Sequence, residues 1–118
     1  MKSAAELIAE AKTRIAEVTA TDTIAMRATD PSLMLVDVRE DREWNLGHAA
    51  GAVHMSRGTL ESKIDAVVPR DATVVLYCAS GNRSALAAES LMAMGYGNVH
   101  SLTGGFRAWV DANGDVEG

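Results

Sequence analysis

Apolar and polar residues follow two different spacings along the chain, and these predict helices and strands in turn. In residues 3–18 the apolar side chains recur every three or four positions and charged residues occupy the other faces, which predicts an amphipathic helix. Ser3 and Glu6 have the spacing of a capping box at its start. A second, shorter helix is predicted to begin near Thr21 and to end before Pro31, because the residue before a proline disfavours the helical conformation.

Short apolar runs further along the chain predict buried strands. These runs are residues 33–37, 52–55, 73–77 and 98–102. Helix-like segments lie between and after them, at residues 41–46, 60–67, 83–94 and 105–112. Strands that alternate with helices predict an α/β fold with a mainly parallel central sheet flanked by helices. We divide the chain into an N-terminal helical extension packed on the domain, residues 1–20, and the α/β domain itself, residues 21–118.

Composition narrows the class of protein. A chain of 118 residues is long enough for one domain with a real core, and 47% hydrophobic with 23% charged residues is ordinary for a soluble globular protein. The net charge of −5 argues against a general nucleic-acid-binding protein, which prefers a basic face. A single cysteine cannot form an internal disulfide, so nothing indicates a secreted disulfide scaffold.

Charge patterning also bears on location. Residues 1–18 carry charges throughout and lack the apolar core of a signal peptide, and no apolar stretch is long enough to span a membrane. We therefore expect a cytoplasmic protein with no membrane partner. The three histidines His48, His54 and His100 do not form a metal-binding spacing with Cys78, and we expect neither a metal nor another cofactor.

The only cysteine, Cys78, directly follows the strand predicted at residues 73–77 and precedes the helix predicted at residues 83–94. In parallel α/β sheets, ligands bind beyond the carboxyl ends of the strands. The loop consists of small or turn-tolerant residues, Ala79, Ser80, Gly81 and Asn82. Their N–H groups can turn inward around an anion, the following helix N-terminus adds partial positive charge, and Arg83 and Ser84 add a cation and a hydroxyl. These polar and positively charged groups favour the reactive thiolate form of Cys78.

Two interpretations of Cys78 follow from the residues alone. A free cysteine at a strand end is often only a small buried apolar residue. Gly81 and Arg83 in the loop that follows the sole thiol favour a nucleophile instead. Four residues separate Cys78 from Arg83, one fewer than in the Cys-x5-Arg loop of cysteine-based phosphatases. A shorter loop makes a narrower bowl, which suits one sulfur atom better than a tetrahedral phosphate.

Four motifs in sequence order resemble those of single-domain rhodaneses, a family of sulfurtransferases. LVDVRE at residues 35–40 resembles the first strand with its Asp-x-Arg signature, and EWNLGHAAGAVHM at residues 43–55 resembles the segment that follows. YCASGNRSALAA resembles the six-residue active-site loop, and LTGGFRAW resembles the closing Gly-Gly-x-x-x-Trp motif. Ala49 stands where the family usually has a large apolar residue. The resemblance covers about residues 33–112 and implies a rhodanese-like domain fold.

The resemblance also implies a double displacement. The Cys78 thiolate would take a sulfane sulfur from a small donor such as thiosulfate or a persulfide. The N–H groups of residues 79–84 would hold the terminal sulfur of the resulting persulfide. A thiophilic acceptor, cyanide in an assay or a thiol in the cell, would then remove it. With no second cysteine the chain cannot resolve its own persulfide, so the acceptor must be an outside molecule.

Three further residues are candidates for the rim of the pocket. Asp37 and Arg39 either contact substrate or form a structural ion pair at a strand end. Arg57 follows a predicted strand and either lines the pocket mouth or is a solvated loop arginine. His48 is expected to fix the loop after Leu46.

Two other functions stay open. One is a non-catalytic rhodanese-like module that binds a partner or senses redox state, and the other is a phosphatase or arsenate reductase on the same fold. The exposed face of the first helix also permits a homodimer.

Overall fold

The computed structural model describes residues 1–118 and is built on a five-stranded parallel sheet. In chain order the strands are β1 (Ala16–Val18), β2 (Met34–Asp37), β3 (His48–Ala49), β4 (Val53–His54), β5 (Val74–Tyr77), β6 (Val99–Leu102) and β7 (Val116–Glu117). The central sheet has the order β1-β6-β5-β2-β4, with every pair parallel. Strands β3 and β7 form a separate antiparallel pair. The predicted α/β class with a mainly parallel sheet is therefore confirmed.

The helices lie close to where the sequence places them. They are α1 (Ala4–Arg14), α2 (Ala20–Thr29), α3 (Asp41–Asn45), α4 (Leu60–Lys63), α5 (Asn82–Ala93) and α6 (Gly105–Asp111), with a 3-10 turn at Ile64–Ala66 after α4. The capping box at Ser3 and Glu6 is present at the start of α1. Gly95 follows α5 with a φ of +99°, the left-handed conformation that ends many helices.

The first helix ends earlier than predicted. Helix α1 stops at Arg14, and Ile15 is extended, with φ −111° and ψ 164°. Residues Ala16–Val18 instead form β1, which pairs in parallel with β6 at the edge of the sheet. The N–H and C=O groups of these residues form hydrogen bonds with β6, which lies far along the chain. The local apolar residues have helical spacing, so the sequence pattern alone predicted a helix here. The central sheet thus begins ahead of the boundary predicted at residue 20.

Alternate residues of the central strands build two cores, one on each face of the sheet. On one face Val36, Leu76 and Cys78 pack with residues of α4 and α5, including Leu60 and Leu91. The other face carries Leu35, Val75, Tyr77 and Leu102, which pack with Ala20 of α2 and Trp109 of α6. Cys78 therefore lies on the face that α5 covers.

Helix α1 packs against α5, which anchors the N-terminal segment to the domain. Ala11 of α1 is fully buried. Arg14 forms an ion pair with Glu89 of α5, and Lys12 donates a hydrogen bond to the Asn82 side chain at 3.3 Å. None of the helices combines the length and the apolar character that a membrane crossing requires.

Candidate active site

The Cys78 thiol lies directly after β5, enclosed by the loop that leads into α5. The residue is 1% exposed. The Gly81 N–H donates to Sγ at 3.1 Å, and the Ser84 N–H donates at 3.4 Å. The Ser84 hydroxyl oxygen lies 3.6 Å from Sγ. Three polar groups thus converge on one buried sulfur atom.

The shape of this loop depends on glycine and on the start of α6. Gly81 has a φ of +95°, and a Cβ there would lie 3.1 Å from the Gly104 nitrogen. The Phe106 N–H donates to the Cys78 carbonyl at 2.7 Å. Gly105 allows this close approach, because a Cβ at that position would overlap the Cys78 carbonyl oxygen and lie 2.7 Å from the carbonyl carbon of Ala79. Gly104 and Gly105 therefore allow the start of α6 to pack directly against the Cys78 loop, and α5 follows that loop in the chain.

Opposing influences act on the pKa of the thiol. Burial raises the pKa of Cys78, and the hydrogen bonds from the Ser84 hydroxyl and from the N–H groups of Ser84, Ser80 and Gly81 lower it. The hydrogen bonds outweigh the burial, so the net shift is downward. A lowered pKa increases the fraction of thiolate, which is the nucleophilic form.

Arg83 does not point its charge at the thiol as a free cation. Its guanidinium donates to the Glu43 carboxylate at 3.1 and 3.3 Å, which joins α5 to α3. The hydrogen bond to Glu43 raises the pKa of Arg83, and the nearby Cys78 raises it further. The same pairing lowers the pKa of Glu43. The positive charge expected in the loop is therefore present but largely balanced by a carboxylate.

The other loop residues are placed as follows. The Ala79 carbonyl accepts a long hydrogen bond of 3.5 Å from the Arg107 N–H, which ties the loop to α6. Ser80 is exposed at the loop surface. The Asn82 side chain accepts from Lys12 and so faces α1. Among residues 79–84, hydrogen bonds to Sγ come from Gly81 and Ser84, and the Ser80 N–H also lowers the pKa of Cys78.

Asp37 and Arg39 form a buried ion pair at the end of β2. The Arg39 guanidinium donates to the Asp37 carboxylate at 2.9–3.1 Å, and it also donates to the Gly47 carbonyl at 2.7 Å. It lies over the Phe106 ring, 4.2 Å from the centroid. The two residues are 0% and 5% exposed. This geometry matches the structural ion pair, the second of the two alternatives, since both partners are withdrawn from solvent.

Arg57 is partly exposed and held by its own neighbours. Its guanidinium forms an ion pair of 2.7 Å with Glu61, one turn along the same segment. Glu61 also accepts a hydrogen bond from Ser90 of α5. The Arg57 N–H donates to the Val38 carbonyl. Arg57 therefore links the chain after β4 to α4, and none of these contacts reaches the Cys78 loop.

The segment after α3 is organised around Trp44. The indole stacks on His48 with parallel rings 3.4 Å apart, and on His54 with centroids 4.9 Å apart. His48 Nδ1 lies 3.0 Å from the Trp44 carbonyl. Both histidines thus serve the local structure, as expected for His48.

Sequence reasoning did not single out some residues that support the site. Ser101 of β6 is fully buried, and its hydroxyl lies 2.8 Å from that of Ser84. Glu43, which begins the segment at residues 43–55, is the partner of Arg83. The one available signal for Ser101 was a serine at a position predicted to lie in a buried strand, because a buried hydroxyl requires a partner.

The rest of the molecule has surface clefts but no metal-binding group. No group of three or more His, Cys, Asp or Glu side chains is arranged to hold a metal ion. The surface has four clefts, and none is lined by Cys78. One of about 260 Å³ lies between α2 and α6, lined by residues such as Ile24, Arg27 and Trp109. Arg27 packs over Trp109 in its wall, and no cysteine or serine lines it.

Comparison with known proteins agrees with this geometry. Residues 19–112 match the family model described as rhodanese-like domain. The chain is 34% identical over 79 residues to thiosulfate sulfurtransferase GlpE of Tolumonas auensis, a match that covers 67% of this chain and 74% of that protein.

Two solved structures resemble the whole fold. One, from Rhodopseudomonas palustris, is a protein of unknown function described as a possible tyrosine phosphatase. It is 36% identical with a TM-score of 0.89, over 99% of this chain and 96% of that one. The other is the rhodanese-like domain of a protein from Anabaena sp., 26% identical with a TM-score of 0.79, over 86% of this chain and 78% of that one. By its fold and by the family match over residues 19–112, the chain belongs to the rhodanese-like domain family.

Proposed function

We propose that this protein is a sulfurtransferase that carries sulfane sulfur as a persulfide on Cys78. The observation that supports this most is the set of N–H groups from Gly81 and Ser84 that converge on a buried sulfur of lowered pKa. The similarity to a thiosulfate sulfurtransferase points to the same reaction class. Neither a metal nor an organic cofactor is needed for this chemistry.

The first half-reaction loads the enzyme. The Cys78 thiolate attacks the terminal sulfur of a donor such as thiosulfate or a small persulfide, and a new S–S bond forms as the donor S–S bond breaks. With thiosulfate, sulfite leaves with the electron pair. Inward N–H groups of the loop stabilise the negative charge that remains on the terminal sulfur of Cys78.

The second half-reaction unloads the enzyme to an outside acceptor. A thiolate attacks the terminal sulfur of the Cys78 persulfide, and the Cys78 thiolate departs with the electron pair of the broken bond. The hydrogen bonds from Gly81 and Ser84 favour this departure, because they stabilise the thiolate that leaves. Since the chain has one cysteine, ping-pong kinetics with an external acceptor are expected.

A phosphatase is the second candidate, favoured by the description of the Rhodopseudomonas palustris protein. The loop argues against it on size, since four residues separate Cys78 from Arg83. The Arg83 guanidinium is also engaged by Glu43, whereas a phosphate would need it free for bidentate contact. A non-catalytic module is the third candidate, and the retained thiol with its hydrogen-bond donors argues against that role.

The test is the intact mass of the protein after incubation with sulfane donors. We expect a gain of one sulfur atom that a reductant removes, and no gain for Cys78→Ala. Ser90→Ala, which removes a hydroxyl of α5 that donates to Glu61 of α4, serves as a matched control and should load like the parent. Absence of the gain with thiosulfate and with small persulfides would contradict the proposal. Hydrolysis of an aryl phosphate that depends on Cys78 would support the phosphatase instead.

The partners and location follow the same proposal. Small sulfur donors and thiol acceptors are the expected substrates, and neither nucleic acid nor membrane is expected to bind. The cytoplasm suits the reaction, because a reducing compartment keeps the lone thiol free and supplies thiol acceptors. A homodimer through the exposed face of α1 is a further expectation that sedimentation analysis would test.

A further inference from the structure

Two buried hydroxyl groups lie beneath the thiol and form a chain with it. Ser84 Oγ lies 3.6 Å from Cys78 Sγ and 2.8 Å from Ser101 Oγ. Both serines are 0% exposed. Ser101 belongs to β6, and its side chain lies on the same face of the sheet as Cys78. The Ser101 hydroxyl of β6, the Ser84 hydroxyl of α5 and the Cys78 sulfur after β5 therefore form a hydrogen-bonded chain.

The direction of the hydrogen bonds in this line depends on the charge of the sulfur. A neutral thiol can donate to Ser84, whose hydroxyl then donates to Ser101. A thiolate has no proton to donate, so the Ser84 hydroxyl must turn and donate to Sγ. Its oxygen then accepts a hydrogen bond from Ser101. Each hydroxyl polarises the next, so the bond from Ser84 to the thiolate is stronger when Ser101 donates behind it.

We propose that Ser101 is a positioning residue that stabilises the Cys78 thiolate through the Ser84 hydroxyl. Ser101 does not touch the sulfur, and its effect passes entirely through Ser84. In the sulfurtransferase reaction proposed above, on which its catalytic use rests, the relay acts twice. It raises the population of the attacking thiolate, and it stabilises the same thiolate as the leaving group of the second half-reaction.

The charged surroundings of the thiol allow a clean measurement of this effect. Arg83 is the cation that interacts with Cys78, and it is paired with Glu43. His100 precedes Ser101 on β6, so its side chain points to the opposite face of the sheet. Substitution of either serine leaves these charges in place. A change in the titration of Cys78 would therefore come from the hydroxyl relay.

The experiment titrates the thiol directly, without any sulfur donor. The ultraviolet absorbance of the thiolate is followed against pH in the parent, Ser101→Ala, Ser84→Ala and the double variant, with Cys78→Ala subtracted as background. Because the chain has a single cysteine, the signal belongs to Cys78 alone. Thr23→Val is the matched control, since Thr23 is also 0% exposed but its hydroxyl donates to the Thr19 carbonyl at the start of α2. Circular dichroism shows that each variant is folded.

We expect the pKa of Cys78 to rise in Ser101→Ala and to rise further in Ser84→Ala, with no change in Thr23→Val. In the double variant Ser101→Ala should add nothing beyond Ser84→Ala, because the relay is already broken. If the sulfurtransferase reaction holds, persulfide formation near neutral pH should slow about threefold in Ser101→Ala and roughly tenfold in Ser84→Ala.

Two results would overturn the inference. One is a titration of Ser101→Ala that coincides with that of the parent. The other is a rise in the pKa of Cys78 that is the same for Ser101→Ala with and without Ser84, which would mean an effect by another route. Failure of the sulfurtransferase assay would leave the titration unaffected, so the two proposals fail separately.

Discussion

Replacing Gly105 with alanine tests whether the contact between α6 and the Cys78 loop shapes the active site. Gly105 has a φ of +58°, in the left-handed region. An added Cβ would lie 2.7 Å from the carbonyl carbon and 2.8 Å from the carbonyl oxygen of Ala79. Both are backbone atoms, so no change of side-chain rotamer relieves the overlap. Helix α6 and the loop must move apart.

The cost can be worked out from two contributions. The left-handed conformation costs an alanine about 1 kcal/mol relative to glycine. Separating α6 from the loop breaks the hydrogen bond of 2.7 Å from the Phe106 N–H to the Cys78 carbonyl. A lost hydrogen bond of this kind costs about 1–3 kcal/mol. We therefore expect Gly105→Ala to lower the free energy of unfolding by about 3 kcal/mol, which lowers Tm by roughly 10 °C in a domain of this size.

The assay is thermal and urea unfolding followed by circular dichroism, with persulfide formation measured on the folded fraction. Gly97→Ala is the matched control, because Gly97 is exposed and a Cβ there would meet no heavy atom within 4 Å. It should change stability by no more than about 1 kcal/mol. If Gly105→Ala were as mild as Gly97→Ala, the idea that this contact sets the loop would be refuted.

Three further predictions concern charge. Hydrogen bonds outweigh burial and lower the pKa of Cys78 in the folded chain. The parent should therefore gain stability over Cys78→Ala as pH rises from the folded towards the unfolded pKa, and lose that gain as pH falls, in urea unfolding at several pH values. Asp37→Asn leaves the Arg39 guanidinium buried without its counter-charge, and should lower the free energy of unfolding by about 3 kcal/mol. Glu43→Gln frees Arg83, so persulfide formation from the thiosulfate dianion should accelerate about threefold at low salt but not at high salt.

Each of these has a result that would contradict it. A stability difference between parent and Cys78→Ala that is flat with pH would mean that the thiol titrates alike in both states. A loss below about 1 kcal/mol for Asp37→Asn would mean that Arg39 is hydrated in solution. Glu89→Gln, which breaks an exposed ion pair on the same helix as Arg83, is the control for Glu43→Gln. Equal acceleration in both variants would indicate a general charge effect.

The parts of the fold that the sequence predicted are those with strong local signals. Strand β5 is an uninterrupted apolar run, and α1 begins with a capping box. Strand β1 was missed because Ala16–Val18 continues a helical spacing, and its partner β6 lies far along the chain. The antiparallel pair of β3 and β7 was missed for a different reason. Each strand is two residues long, which is too short to show an apolar pattern in the sequence.

The candidate site shows the same division between local and long-range features. Cys78 and its loop could be predicted, because a strand, a glycine and a helix start adjoin in the sequence. The role of Ser101 could not be predicted, since Ser101 meets Ser84 only in the folded chain, where β6 and α5 come together. Arg83 was predicted to add a positive charge to the loop, but its pairing with Glu43 could not be predicted, because Glu43 lies far away in the sequence and approaches from α3.

Strand β1 has a consequence for any shortened form of this protein. The family match begins at residue 19, one residue after β1 ends. A truncation at that point would keep every residue of the Cys78 loop, yet it would uncover the backbone N–H and C=O groups of β6. The Thr103 N–H would also lose its acceptor, the Val18 carbonyl at 2.8 Å. An open parallel edge of this kind recruits strands from other molecules. The truncated domain is therefore expected to self-associate through β6 more readily than the full chain, in which the short strand β1 covers that strand.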